Sequence, residues 1–190
     1  MGKSQAEKAE SHARIVRVAA ARFREIGVDG ISVADLMKEA GLTHGGFYRH
    51  FASREEMVGE AIESALQDGT RAIDAIVNNS RATLATLVDA YLSAAHRDGL
   101  ASSCAVTTLA GDAARSNERA RTAYTQQVDR YLELLVKLID SEKQKSRRTK
   151  AITALSTLVG AVSMARAVND EALSREILKS AADELKAQLK

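Results

Sequence analysis

Apolar residues recur along this chain at three- and four-residue spacings, and no stretch shows the strict alternation of a half-buried strand. The first series, Ile15, Val18, Ala19, Phe23 and Ile26, predicts one face of a helix that stops at the turn Gly27-Val28-Asp29-Gly30. Ser32 stands as an N-cap with Asp35 three residues later, the placing of a capping-box carboxylate. Val33, Leu36, Met37 and Ala40 follow at i, i+3, i+4 and i+7, a helix of about two turns, and Gly41 ends it because glycine readily takes the left-handed C′ conformation. Thr43 caps a predicted third helix buried through Phe47 and Phe51. Ser53-Arg54-Glu55-Glu56 is a capping box opening a fourth, whose apolar positions Met57, Ala61, Ile62, Ala65, Ile73 and Ile76 carry it to about Val77.

Beyond residue 79 the pattern stays helical with weaker punctuation, predicting helices near 81–97, 103–115, 118–140, 148–168 and 171–188. The 118–140 segment has a stripe of Tyr124, Val128, Tyr131, Leu135, Leu138 and Ile139, and the last segment an i+4 row of Leu173, Ile177, Ala181, Leu185 and Leu189. The expected class is all-α. Composition agrees, since 34 of the 190 residues are alanine and none is proline, the extremes of helix propensity.

With 45% hydrophobic and 27% charged residues, the chain has the balance of a globular protein. No apolar run is long enough to cross a bilayer, and no charged-then-apolar leader opens the sequence. One cysteine, Cys104, offers no internal disulfide. A cytoplasmic protein without a membrane partner is expected. Net charge is +2, with nine Lys/Arg against six Asp/Glu in residues 1–54, too slight an excess to identify a nucleic-acid binder. Residues 3–14 read as a disordered, partly solvated lead-in, with an arm that adds contacts to a nucleic-acid backbone as the alternative. No metal-ligand spacing, phosphate loop or supported nucleophile appears, so neither cofactor nor metal is expected and an enzyme is disfavoured.

Two short helices joined by a glycine turn and flanked by further helices describe a helix-turn-helix unit. Residues 31–57, ISVADLMKEAGLTHGGFYRHFASREEM, resemble the N-terminal DNA-binding domain of the TetR/AcrR family of transcriptional regulators. The resemblance rests on Ser32-Val33, Ala40-Gly41-Leu42, Gly46-Phe47-Tyr48, His50-Phe51 and Ser53-Arg54-Glu55-Glu56. It implies a three-helix helix-turn-helix domain over 1–54 and a larger helical effector-binding and dimerisation domain over 55–190. The residues expected at DNA are Ser32, Ala34, Thr43, His44, Gly45, Gly46, Tyr48, Arg49, His50 and Arg54. By resemblance, Tyr48 and His50 contact the backbone and Arg54 grips a phosphate. The free amides of the turn beginning at Thr43 favour an anion. Adjacent glycines cost about 1 kcal/mol each in a helix, so Gly45-Gly46 reads either as a close approach to DNA or as a flexible turn. His44 stands where many relatives carry Lys, and Ala34 where a polar residue often reads a base; part of the specificity then falls to DNA shape.

Reading two half-sites about 34–36 Å apart needs a dimer, and the family dimerises through its last two helices. Leu155, Leu158, Gly160, Ala161, Met164, Leu173, Ile177, Ala181 and Leu185 are the expected interface. Tyr91, His96, Cys104, Thr107, Thr108, Tyr124 and Gln127 are the expected wall of an effector pocket, although ordinary packing explains each equally well. The expected function is a homodimeric repressor released from palindromic operator DNA by a small molecule. The alternatives are an effector-independent regulator and one that senses redox state through Cys104.

Overall fold

A computed structural model describes residues 5–78, 82–139 and 144–188. Every regular element among them is helical: α1 (Gln5–Ile26), α2 (Val33–Glu39), α3 (Arg54–Val77), α4 (Leu84–Tyr91), α5 (Ala94–Asp98), α6 (Ala105–Thr108), α7 (Ala110–Arg115), α8 (Glu118–Leu138), α9 (Gln144–Ala167) and α10 (Glu171–Gln188), with 3-10 turns at Val28–Gly30, His44–Arg49 and Leu100–Ser102.

The local punctuation acts as the sequence suggests. The Ser32 hydroxyl accepts from the Asp35 amide at 3.1 Å. Gly41 takes φ +71°, and its amide and that of Leu42 bond back to the Lys38 and Met37 carbonyls, a Schellman stop. Ser53 accepts from the Glu56 amide. The Glu56 carboxylate reaches the Ala52 amide rather than that of Ser53.

Four expectations are corrected. The lead-in is helical from Gln5 onward. The third helix is a six-residue 3-10 segment, and Thr43 makes no side-chain cap; two glycines in so short a piece leave little α preference to overcome i→i+3 bonding. The 81–97 helix breaks between α4 and α5, because Ser93 turns its hydroxyl to the Ala90 carbonyl and caps the His96 amide. The 103–115 helix is likewise two short pieces, α6 and α7. Leu189, the end of the last apolar row, lies outside the described residues.

Two cores fill the molecule. The first joins Ile15, Ala19 and Phe23 of α1, Leu36 and Met37 of α2, Phe47 and Phe51, and the first half of α3 to Val106, Leu109 and Ala120. The second packs α4, α8, α9 and α10 around Val88, Leu135, Leu158 and Val162. The seam between α3 and α8 connects them. Gly59 admits the Asn117 side chain and Gly69 admits the Tyr131 hydroxyl, each close enough that a Cβ would fall within 2.9 Å. Asn117 caps α8 through the Ala120 amide and donates to the Glu55 carbonyl of α3 at 2.7 Å. Arg119 adds ion pairs to Glu60 and Glu63.

Asn117→Ala removes a helix cap and a bond across the seam together. It is expected to lower the unfolding free energy by about 1–2 kcal/mol; a urea denaturation midpoint unchanged from that of the parent protein contradicts this account.

Candidate nucleic-acid interface and interior cavity

The 3-10 segment buries one side and presents the other. Phe47 is fully buried and stacks on Phe51 at 5.4 Å, with Tyr48 edge-on to Phe47 at 5.3 Å. Tyr48 itself is 76% exposed, so its ring is available to a partner rather than to the core. Ala34, Thr43, His44, Gly45 and Arg49 are exposed, and Gly46 and His50 half-buried. A slot of about 320 Å³ beside them is lined by Lys8, Thr43, Gly46, Arg49 and His50 among others. Lys8 belongs to the arm that the sequence offered only as a secondary source of backbone contacts; the helical course of residues 5–14 brings it there.

Two expected DNA contacts are already engaged within the chain. The Ser32 hydroxyl donates to the Asp35 carboxylate at 2.6 Å besides capping α2. Arg54 donates through Nη2 to the Val28 carbonyl at 2.7 Å and faces Asp29 at 3.2 Å. A guanidinium that satisfies the carbonyl of the turn after α1 acts first as a clasp between that turn and the start of α3.

A cavity of about 560 Å³ lies between α3, α4, α8 and α9. Of the expected wall, Tyr91, His96 and Cys104 line it. Thr107 sits behind Tyr91, hydroxyl to hydroxyl at 2.7 Å. Tyr124 donates to the Val106 carbonyl, Thr108 turns back to the Cys104 carbonyl, and Gln127 accepts from Thr70; these four are packing residues beside the cavity. Tyr131, Ser103, Gly69 and Ile76 line it unforeseen, as do Leu155 and Leu158 from the expected dimer face. Tyr131 was legible only as part of a core stripe, with Gln127 one turn before it.

The polar end of this cavity is neutral. His96 Nδ1 donates to the Tyr91 carbonyl at 2.6 Å, and Nε2 accepts from the Cys104 amide at 3.3 Å, which fixes the uncharged Nδ1–H tautomer. Burial, with Arg166 nearby, holds the imidazole below its usual value. Burial and the neighbouring Cys104 raise Tyr91 and Tyr131 well above the ordinary phenol range. Asp68, the one acidic lining residue, is paired with Arg24 at 2.6 Å and with Arg71.

The expected dimer face divides. Leu155, Leu158, Ala161 and Leu185 are buried within the chain's own second core, because α9, wedged between α8 and α10, turns the first three inward and Leu185 joins them from α10. Met164 and Leu173 are exposed at 55% and 43%, Ile177 and Ala181 are half-buried, and nothing approaches within 4 Å of where a Cβ would stand on Gly160. Ile152, not foreseen, is exposed on the same pair of helices.

Residues 15–61 match the sequence profile of bacterial regulatory proteins of the tetR family. This segment is therefore similar to the N-terminal domain of tetR-family regulators. It is 34% identical over 67 residues to an uncharacterised helix-turn-helix transcriptional regulator of Bacillus subtilis, and 37% identical over 84 residues to the transcriptional repressor KstR2 of Rhodococcus jostii. These matches span 33% and 41% of the relatives' lengths. The fold extends further. A TetR regulator from Chloroflexus aurantiacus superposes with TM-score 0.78 at 24% identity over 96% of both chains, and one from Legionella pneumophila with 0.76 at 19% over the whole of both. The TetR fold thus accounts for both cores. Among the described residues no cluster of three metal-ligating side chains occurs, and no helix is long and apolar enough to cross a membrane.

His96 carries a pH prediction. Its folded-state pKa lies below the usual 6.5, so the unfolded chain binds the proton first as pH falls. Its contribution is complete above about 6.5 and is lost as pH falls towards the folded-state value. Urea unfolding from pH 7.5 to 5 should show that loss, and His96→Gln should flatten it; an equal slope in the variant assigns the effect elsewhere.

Proposed function

We propose that this chain is a DNA-binding transcriptional repressor, acting as a homodimer that leaves a palindromic operator when a small molecule fills the cavity. The observation that carries the reading is the exposed surface of the 3-10 segment, with Tyr48 presented beside Arg49 and His44. Residues 1–54 act as the reading head and residues 55–190 as the effector and dimer domain. Thr43, His44, Gly45 and Ala34 face base edges, while Tyr48, Arg49, His50 and the added Lys8 hold phosphates. Arg54 supports the head through the Val28 carbonyl.

Dimerisation is supported by the outward apolar residues Ile152, Met164 and Leu173 on α9 and α10, next to the uncovered Gly160. Small and apolar groups there permit two helix pairs to pack closely. Coupling is supported by α3, which bounds the reading head at Arg54 and the cavity at Asp68, Gly69 and Ile76. A ligand against Gly69 presses on the same rigid helix that carries the clasp. Nothing in the chemistry of the cavity favours catalysis, so the reading is a regulator and not an enzyme.

Selection of bound sequences from random duplex DNA at near-physiological salt is the test. The expected product is a palindrome with half-sites one helical turn apart or a multiple of it; a folded dimer that enriches nothing overturns operator binding. Leu173→Asp is expected to yield a folded monomer by sedimentation. Its operator affinity should fall about 100-fold or more, since two linked half-site contacts become one. A variant that stays dimeric removes α10 from the interface.

A further inference from the structure

The cavity has an unsatisfied hydrogen-bond pattern that defines what fits it. Its lining is mostly aliphatic, and its polar groups collect where α8 meets α3 and the Leu100–Ser102 turn. Nearly every one of these groups is engaged. His96 uses both ring nitrogens. Ser103 accepts from Arg166 at 2.5 Å. Thr86 is bound into the cap of α4. Tyr91 is joined to Thr107.

Tyr131 is the exception. Its oxygen accepts the Cys104 thiol at 3.4 Å and lies against the Gln127 amide, so its own hydrogen is free to turn into the cavity. Gln127 adds a second unmet donor. It is only 3% exposed, its Oε1 accepts from Thr70, and its Nε2 is buried without an acceptor. Both groups converge on the bare Cα of Gly69, where a Cβ would lie 2.9 Å from the Tyr131 hydroxyl and 3.0 Å from the Gln127 nitrogen. Gly69 and Tyr131 both line the cavity. Buried donors without acceptors are uncommon in folded proteins and point to a missing partner.

We propose that the cavity binds an uncharged, largely aliphatic molecule bearing one acceptor oxygen, a ketone or ester, which takes the Tyr131 hydrogen at the Gly69 end. This names the ligand class of the effector site proposed above and rests on that reading for its regulatory meaning, though not for binding itself. A carboxylate meets no cation among the lining residues. Arg166, the nearest at that end, lies behind Ser103 and the His96 carbonyl, to both of which it is bonded. An ammonium meets only Asp68, whose oxygens already hold Arg24 and Arg71. Burying either charge unpaired opposes entry. The volume of about 560 Å³ is in the range of sites that enclose small organic ligands.

The experiment uses the full chain and three probes of one chain length, 2-decanone, decanoate and decylammonium, with binding read by calorimetry and thermal shift. 2-Decanone is expected to bind at least about 10-fold more tightly than either ion. Tyr131→Phe, which keeps the ring and the packing, should weaken 2-decanone about 3- to 10-fold, the worth of one hydrogen bond. Decanoate binding as well as the ketone overturns the neutral-ligand assignment and implicates the remaining Nη1 of Arg166. Equal ketone affinity in Tyr131→Phe overturns the role of the hydroxyl. No binding by any probe overturns the proposal as a whole. If 2-decanone binds as expected yet leaves the affinity for the selected operator unchanged, effector control fails while the ligand class stands.

Discussion

The close contact between α3 and α8 is the constraint on which the rest of the molecule depends. α3 joins the first core to the cavity: its first half closes over α1, α2 and the 3-10 segment, and its second half walls the cavity. It can serve both only by lying against α8 along most of its length. Two glycines and the side chains that enter their space make that approach possible, Asn117 at one and Tyr131 with Gln127 at the other. A methyl group at either position meets a polar atom inside contact distance, so the seam is set by what is missing from α3 as much as by what α8 supplies. Close-packed interiors transmit such contacts with little give. Tyr131 and the turn after α1 thus touch the same helix, the first at Gly69 and the second through Arg54.

The reading head was legible because its signals are local. Ser32, Gly41 and Ser53 each act within a few residues, and the structure keeps all three. The third helical segment was placed correctly but not in kind, since two glycines within six residues leave 3-10 and α geometries close in energy. In the second domain the difficulty is different. α9 carries small and apolar residues on nearly every side, so periodicity cannot separate Leu155 and Leu158, which face inward, from Ile152 and Met164, which do not. The cavity was half legible for a related reason. Tyr91, His96 and Cys104 were identifiable by type, but whether Tyr131 fills a core or walls a void depends on the position of Gly69, some sixty residues earlier in the chain. Arg54 was legible as a residue and not as a bond, because its partners are a backbone carbonyl and a carboxylate of a distant turn.

The electrostatics of the interior follow one pattern. The charges near the cavity, Asp68 and Arg166, are both engaged: Asp68 by Arg24 and Arg71, and Arg166 by backbone carbonyls and Ser103 through Nε and Nη2, with Nη1 left over. Buried charge left unpaired costs more than any single hydrogen bond returns, so these charges are spent on the walls themselves. The same logic keeps His96 uncharged, its proton directed to the Tyr91 carbonyl and its lone pair to the Cys104 amide.

The chain has no tryptophan and four tyrosines. Tyr48 stands in solvent on the reading surface, Tyr91 and Tyr131 face the cavity, and Tyr124 packs beside it. The near-ultraviolet emission of this protein therefore comes from one tyrosine in solvent and three at or beside the cavity. The molecule carries its own optical reporters, and their signals separate by accessibility to a soluble quencher without any label being attached.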